Sequence, residues 1–227
     1  MIRKMDELLT DFFNKNFETI VNSRLQEFEY EFHKNDMLDY IRQLNSLPIQ
    51  SFLEYLDSHP FFSLESLDMP QISSFRNAFY EIVEKMIDKG DPGLRFVSLG
   101  QLLLNDGKPR SECALRKYGE NHAKAAEYLG FLYSLNYYYY VSCYGYVVSD
   151  LSELDKDCLF ARLLLRTNLF RAIYAFSKQG NVSLRFLFDF LSDQTYQRRV
   201  HGTRIILNQL KTLNDYTLNA LLNKIDY

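Results

Sequence analysis

The stretch from Gly107 to Gly130, GKPRSECALRKYGENHAKAAEYLG, carries more information about the fold than any other part of the chain. Small and apolar residues recur at helical spacing on both sides of Gly119. The members of this pattern are Ala114, Leu115 and Tyr118 before the glycine, and Ala123, Ala126, Tyr128 and Leu129 after it. Because small alanines let two helices cross closely, the pattern predicts a helix, a turn at Gly119 and a second helix.

The polar residues at the start of the predicted second helix face away from this apolar stripe. They are Glu120, Asn121, His122 and Lys124. Asn, His and Lys side chains at such a position donate hydrogen bonds to phosphates or base edges when the helix enters a major groove. The alternative interpretation is a small helical packing motif with a solvated polar face.

A helix and a tyrosine-rich segment flank this stretch. Apolar spacing predicts a helix from Leu94 to Leu104, and the segment from Leu135 to Ser149 predicts two strands around a turn near Ser142 to Gly145. Tyrosine hydroxyls on such a hairpin contact a DNA backbone in some proteins, and in others the rings only cover the sheet. Helix, helix-turn-helix and hairpin form the layout of a winged helix-turn-helix, which we predict over residues 93–165.

Residues 166–227 predict a second helical module of similar kind. Thr167 and Asn168 predict the start of a helix that runs to Gly180, and an apolar segment follows from Val182 to Leu191. Thr195 is the predicted N-cap of a further helix with a polar, cationic leading end. Its candidate nucleic-acid contacts are Gln197, Arg198, Arg199 and Arg204.

The two adjacent arginines give this helix a specific electrostatic expectation. In a first helical turn, the helix dipole disfavours Arg198 and Arg199, so an external anion would stabilise them there. The alternative is that both are solvated or paired with acidic residues of the N-terminal region.

Residues 1–90 predict an acidic helical region that ends at the turn Gly90-Asp91-Pro92-Gly93. Its first helices carry a stripe of leucine, phenylalanine and other apolar residues at three-to-four spacing. The members of the stripe are Leu8, Leu9, Phe12, Phe13, Phe17, Ile20, Val21, Leu25 and Phe28. Such a stripe forms part of a core or pairs with a second copy of the chain, and we expect it to support a homodimer.

Composition and charge agree with a helix-rich globular protein that has two unlike parts. The 227 residues are 47% hydrophobic, which is enough apolar content for a substantial core. The low numbers of glycines and prolines, 9 and 5, favour a mainly α fold. Residues 1–92 carry 9 Lys and Arg against 17 Asp and Glu, a net charge of −8. Residues 93–227 carry 17 against 12, a net charge of +5, so phosphate is expected at the C-terminal part.

The sequence offers little for catalysis. Cys113, Cys143 and Cys158 lack metal-binding spacing and are interpreted as reduced thiols. The four histidines are far apart, and no phosphate-binding loop or nucleophile motif is present. We therefore predict no cofactor, no metal and no catalytic residue, and favour a protein that is not an enzyme. The absence of a signal-peptide core or an apolar membrane span predicts a cytoplasmic location.

Two motifs resemble the tandem winged-helix modules of DNA-recognition parts of bacterial restriction-type and related defence proteins. The first is Lys117-Tyr118-Gly119-Glu120-Asn121-His122-Ala123-Lys124 with Leu129-Gly130-Phe131, and the second is Thr195-x-x-Arg198-Arg199 followed by Ile205. The resemblance covers about residues 93–213. It implies double-stranded DNA as partner, and a role as regulator or as the recognition component of a defence system.

Two alternatives to this function stay open. One is a helical scaffold that binds protein instead of DNA. The other is a cryptic nuclease, although the acidic N-terminal region predicts helices where a metal-dependent nuclease needs a β core.

Overall fold

The computed structural model describes residues 4–14, 27–60 and 62–227, including the side chains of all of these except 27–33. This part of the chain is mainly helical with a small antiparallel hairpin, which confirms that much of the predicted fold class. Among the described helices, none combines the length and apolar character needed to cross a membrane.

The N-terminal elements are α1 (Met5–Phe13), α2 (Glu27–Ser46) and α3 (Ile49–Ser58). A 3-10 turn, Ser66–Asp68, and a π-helical turn, Asn77–Glu81, precede α4 (Ile82–Asp88). The middle elements are α5 (Phe96–Leu103), α6 (Glu112–Leu129), β1 (Leu132–Leu135), β2 (Tyr138–Val141) and α7 (Cys143–Val148). The C-terminal elements are α8 (Glu153–Leu165), α9 (Asn168–Ser177), β3 (Val182–Ser183), α10 (Leu184–Leu187), α11 (Asp193–Leu210), the 3-10 turn Lys211–Leu213, α12 (Tyr216–Leu222) and β4 (Ile225–Asp226).

The N-terminal helices pack directly against the C-terminal half of the chain. Helix α2 contacts α7 and α8, and α3 contacts α8, α9 and α12. The buried apolar side chains from Leu8 to Ile225 form one cluster. The core therefore continues across both predicted boundaries, at 90–93 and at 165–166. That the three segments are separate domains stays a prediction.

Arg162 shows how closely the two halves are joined. It lies in α8, is 5% exposed, and donates from Nε to the carbonyl oxygen of Leu44 at 2.8 Å. Its Nη2 donates to the carbonyl oxygens of Asn45 and Leu47 at 2.8 and 2.9 Å. Carbonyl groups at a helix end lack partners within the helix. One buried guanidinium of α8 thus satisfies the end of α2.

The described part of the N-terminal apolar stripe is buried within the chain. Leu8, Leu9, Phe12 and Phe13 are at most 5% exposed, and the Phe12 ring lies edge-on to Phe52 with centroids 5.8 Å apart. The prediction that these four residues pair with a second copy is wrong, because they already face the core. The homodimer itself stays a prediction. The other members of the stripe are Phe17, Ile20, Val21, Leu25 and Phe28, and their side chains lie outside the described residues.

The predicted turn at Gly119 is also wrong. Helix α6 runs without interruption from Glu112 to Leu129, with Gly119 near its middle. The Ser111 side chain caps its first turn by accepting from the Ala114 amide, and Gly130 ends it in the left-handed conformation at φ 86°.

The hairpin is present but lies several residues earlier than predicted. Its turn is at Asn136 and Tyr137, between β1 and β2, with Leu132 opposite Val141. The residues predicted as its second strand form helix α7 instead. Ser142 caps that helix by accepting from the Gly145 amide at 3.1 Å. Aromatic and β-branched residues favour strands, but local capping and burial decide this segment.

Of the two helix starts predicted within residues 166–227, the first is confirmed and the second lies three residues earlier than predicted. Thr167 caps α9 as predicted, by accepting from the Phe170 amide at 3.2 Å, although the helix ends at Ser177. Ser192, and not Thr195, is the N-cap of α11, since its hydroxyl accepts from the Thr195 amide at 3.3 Å. The two arginines therefore lie beyond the first turn, where the dipole argument for a bound anion no longer applies.

Candidate nucleic-acid interface

Helices α5 and α6 make the most extensive helix–helix contact in the described part of the chain. Two glycines allow it. A Cβ atom on Gly100 would lie 2.0 Å from the carbonyl oxygen of Leu115, and one on Gly119 would lie 2.0 Å from that of Phe96. Only glycine fits at both positions, so the backbones of α5 and α6 cross in direct contact.

Arg110 braces the connection between α5 and α6, which spans residues 104–111. Its Nη1 donates to the carbonyl oxygens of Leu104 and Lys108, and its Nη2 donates to Oδ2 of Asp106 at 2.8 Å. The hydrogen bonds from Arg110 and from the Lys108 amide hold the pKa of Asp106 well below its ordinary value. The connection is thus a defined turn, and its arginine is already engaged.

A backbone bridge attaches the hairpin to the start of α5. The amide of Leu94 donates to the carbonyl oxygen of Tyr139 at 2.9 Å, and the Tyr139 amide donates back to Leu94 at 2.9 Å. The preceding turn is fixed as well, because Asp91 accepts from the Val141 amide at 3.2 Å. Leu94 therefore lies beside β2 as a third, one-residue strand.

The tip of the hairpin projects into solvent in a strained conformation. Asn136 and Tyr137 have φ of 51° and 66°, as in the type I′ turns of two-residue hairpins, and Tyr137 is 89% exposed. Asn adopts this region readily, whereas a bulky residue there is an outlier. Below the tip, the guanidinium of Arg95 lies over the Tyr138 ring, 4.7 Å from its centroid.

The first half of α6 presents exposed cations. Arg116 is exposed and makes no hydrogen bond or ion pair with any described residue. Lys117 is exposed too, with Nζ 3.9 Å from Oε2 of Glu120. Both side chains can therefore reach an external phosphate without first losing a strong internal partner.

His122 does not lie on this surface. It is 1% exposed, and its Nδ1 lies 2.9 Å from the carbonyl oxygen of Tyr118. Burial lowers the pKa of His122, and its hydrogen bond to the Tyr118 carbonyl opposes that effect. The prediction that His122 contacts a duplex is wrong, because one uninterrupted helix turns this position into the core.

The other two candidates of α6 stay accessible. Lys124 is exposed and pairs with Oε1 of Glu120 at 2.7 Å. Asn121 is half-buried, and its side-chain amide makes no hydrogen bond within the described residues.

The candidates of α11 divide into two groups. Gln197, Arg198 and Arg204 are exposed, and Arg204 lies over the Tyr227 ring at 4.9 Å. Arg199 is half-buried, and its Nη1 donates to the carbonyl oxygens of Ser66 and Met69 at 2.7 and 2.8 Å. Arg199 thus clamps the 3-10 turn onto α11.

Three sequence-predicted residues meet at one cleft. Asn121 and Lys124 of α6 and Arg199 of α11 line a cleft of about 320 Å³ between these helices and residues 67–71. Gln197, Arg198 and Arg204 do not line it. Sequence reasoning did not single out Arg116 or Lys117 as a candidate contact, and it considered the tyrosines of the hairpin only as a group. The spacing of Lys117, Asn121 and Lys124 on one face could have indicated this surface if α6 had been predicted as one helix.

Within the described ranges, no group of three or more His, Cys, Asp or Glu residues is placed to hold a metal ion. No model of a known protein family matches the chain, and comparisons with curated proteins and with solved structures gave no match either.

Proposed function

We propose that the chain binds double-stranded DNA through a winged helix-turn-helix formed by α4 to β2, as a regulator or as the recognition component of a defence system. The observation that carries this proposal is the crossing of α5 and α6 beside a hairpin that Leu94 bridges. The order is helix, short strand, two crossing helices and two strands. In such modules the second of the crossing helices enters the major groove.

In this arrangement α6 is the recognition helix. Its exposed N-terminal half carries Arg116 and Lys117, and N-terminal residues of a recognition helix are the ones that contact base edges. The hairpin supplies a second contact, since the exposed Tyr137 at its tip can donate to a phosphate.

The first four elements of this order recur in the C-terminal part, which supports a tandem arrangement, although α12 and β4 follow there in place of a hairpin. Helix α9, strand β3, helix α10 and helix α11 follow one another, and α6 and α11 both have 18 residues and a serine N-cap. Helix α11 differs because Arg199 is engaged internally. In the second module, Arg198 and Gln197 are the exposed candidates for DNA contact.

The test compares duplex binding by the natural chain and by the Arg116→Ala/Lys117→Ala variant. Binding is measured by fluorescence polarisation with random-sequence DNA at several salt concentrations. Losing two phosphate contacts should lower the slope of log affinity against log salt by about 2, because each contact releases roughly 0.9 counterion. The matched control removes two exposed cations of the acidic part outside this module, Lys4→Ala/Arg42→Ala, and should leave the slope unchanged. A folded α6 variant with unaltered slope and affinity would contradict the proposal.

One observation favours the alternative of a protein-binding scaffold. Phe186 and Phe190, in and just after α10, are 65% and 54% exposed, although large aromatic side chains are usually buried. If neither the full chain nor its variants bind duplex DNA, this apolar surface becomes the leading candidate for function.

A further inference from the structure

The cleft between α6, α11 and residues 67–71 adjoins the surface proposed to meet DNA and shares Lys117 with it. Its volume, about 320 Å³, lies within the range of roughly 300–1,000 Å³ that is usual for small-molecule sites. One part of its wall is apolar, formed by Leu67, Pro70, Ala125 and the ring of Tyr128. The hydroxyl of Tyr128 donates to the buried Asp68 at 2.7 Å, which fixes that ring in place.

The acidic groups of the cleft already have partners. Glu120 accepts from Nζ of Lys124 at 2.7 Å, and Glu127 accepts from the hydroxyls of Ser134 at 2.6 Å and Tyr139 at 3.2 Å. Lys124 therefore balances the charge of Glu120, whereas the two hydroxyls occupy the oxygens of Glu127 without neutralising it, so a ligand meets few free carboxylate oxygens.

Several other polar side chains of the cleft have hydrogen-bond donors that no described residue uses. The side-chain amide groups of Gln71 and Asn121 make no hydrogen bond within the described residues. Arg199 uses only Nη1 for the carbonyl oxygens of Ser66 and Met69, which leaves Nε and Nη2 without a described partner. With Lys117 at the same cleft, two primary amides and two cations surround one apolar wall.

We propose that this cleft binds a nucleoside monophosphate. Primary amides make paired hydrogen bonds to base edges, and aromatic rings stack on bases. Arginine and lysine bind phosphate, and arginine presents several donors in a fixed planar group. The amides of Gln71 and Asn121 hold the base over Tyr128, while Lys117 and Arg199 hold the phosphate.

The chemistry could come from a free nucleotide or from one nucleotide of a DNA strand. Calorimetric titration of the full chain with AMP, GMP, CMP and UMP distinguishes the two sources when it is paired with titration by a single-stranded oligonucleotide. Saturable binding of any monophosphate, or of the oligonucleotide alone, supports the site and identifies its source. Absence of binding by all five probes overturns the proposal.

Variants then locate the binding. Gln71→Ala and Asn121→Ala should each weaken it about fivefold, because each removes a hydrogen bond worth on the order of 1 kcal/mol. Lys117→Ala should weaken the monophosphate but not the parent nucleoside. The controls, Gln194→Ala and Asn208→Ala, remove exposed side-chain amides of α11 outside the cleft and should bind normally. Equal binding by the cleft and control variants would place the ligand elsewhere and overturn the proposal.

This experiment contains no duplex, so its failure and the failure of the proposed DNA binding are separate results. If the chain binds a monophosphate but no duplex, the result supports the proposed cleft site and contradicts the proposed DNA binding. If it binds a duplex but no monophosphate, the result supports the proposed DNA binding and contradicts the proposed cleft site.

Discussion

Gly119 of α6 lies against the carbonyl group of Phe96 in α5, so closely that a Cβ atom on Gly119 would be 2.0 Å from the carbonyl oxygen. Glycine inside a helix normally destabilises it by roughly 0.5–1 kcal/mol relative to alanine. Its presence in the middle of α6 is explained by this approach, which no side chain permits.

The Gly119→Ala variant should therefore be less stable, against the usual helix propensity. We expect the free energy of unfolding to fall by about 1–3 kcal/mol or more, because the clash involves backbone that must move as a unit. Denaturant unfolding followed by circular dichroism measures it. Cys113→Ala, at an exposed position of the same helix, should stay within about 0.5 kcal/mol of the natural chain. A Gly119→Ala protein of increased stability would contradict the close crossing.

The misinterpretation of Gly119 shows where sequence reasoning stops. A glycine within a helical pattern indicates either a turn or a close contact, and the contact partners, Phe96 and Gly100, belong to a different helix. The helices near residues 94–104 and 168–180 were predictable, because their apolar spacing and the Thr167 cap are local features. The N-cap at Ser192 was missed because Thr195, three residues on, is an equally suitable type.

The candidate site was less predictable than the fold. Asn121 and Lys124 were identified from their polar character, but the cleft they share with Arg199 depends on packing between distant segments. The internal role of Arg199 depends on carbonyl groups more than 100 positions away in the sequence. Exposure of Arg116 and burial of His122 follow from the rotation of α6 against α5, which periodicity alone does not fix.

Tyr137 should lower the stability of the hairpin while it strengthens duplex binding. Its φ of 66° disfavours a residue with a Cβ atom by roughly 1–2 kcal/mol, and Asn-Gly is the preferred pair for a type I′ turn. Tyr137→Gly should therefore raise the melting temperature and weaken duplex binding. Tyr137→Ala, which removes the ring but retains the strained φ, should weaken binding without stabilising the hairpin. If both variants bind DNA normally, the tip has no part in recognition.

Arg198 and Arg199 are adjacent in sequence but should differ sharply when each is replaced by alanine. Arg199→Ala leaves the carbonyl oxygens of Ser66 and Met69 without their donor, which should cost about 1–3 kcal/mol of stability. Arg198 is exposed, and its removal should change stability by about 0.5 kcal/mol or less. Parallel urea titrations compare them. Equal loss in the two variants would show that the clamp contributes nothing.

Below pH 6.5 the stability of the protein should depend on His122. The ring is buried and stacked on Tyr118 at 4.0 Å, and burial lowers its pKa from the ordinary 6.5. Its Nδ1 donates to the Tyr118 carbonyl, so Nε2 is the atom that would take up a proton. That atom has no hydrogen-bond partner among the described residues, and a charge there would be unpaired.

The sign of the effect follows from linkage. Because the folded pKa lies below the unfolded one, the unfolded chain takes up the proton first as the pH falls. The stabilising contribution is present above pH 6.5 and is lost progressively below it, with a slope of at most about 1.4 kcal/mol per pH unit. Asp68 acts oppositely, since burial raises its pKa.

Comparing variants isolates the histidine from such other groups. Unfolding free energies between pH 8 and the onset of carboxylate titration should fall with pH in the natural chain, and should fall less steeply in His122→Gln. His201→Gln, which removes an exposed histidine of α11, should retain the natural slope. A His122→Gln protein with the natural pH dependence would mean that this ring takes up its proton equally well in the folded and unfolded chain.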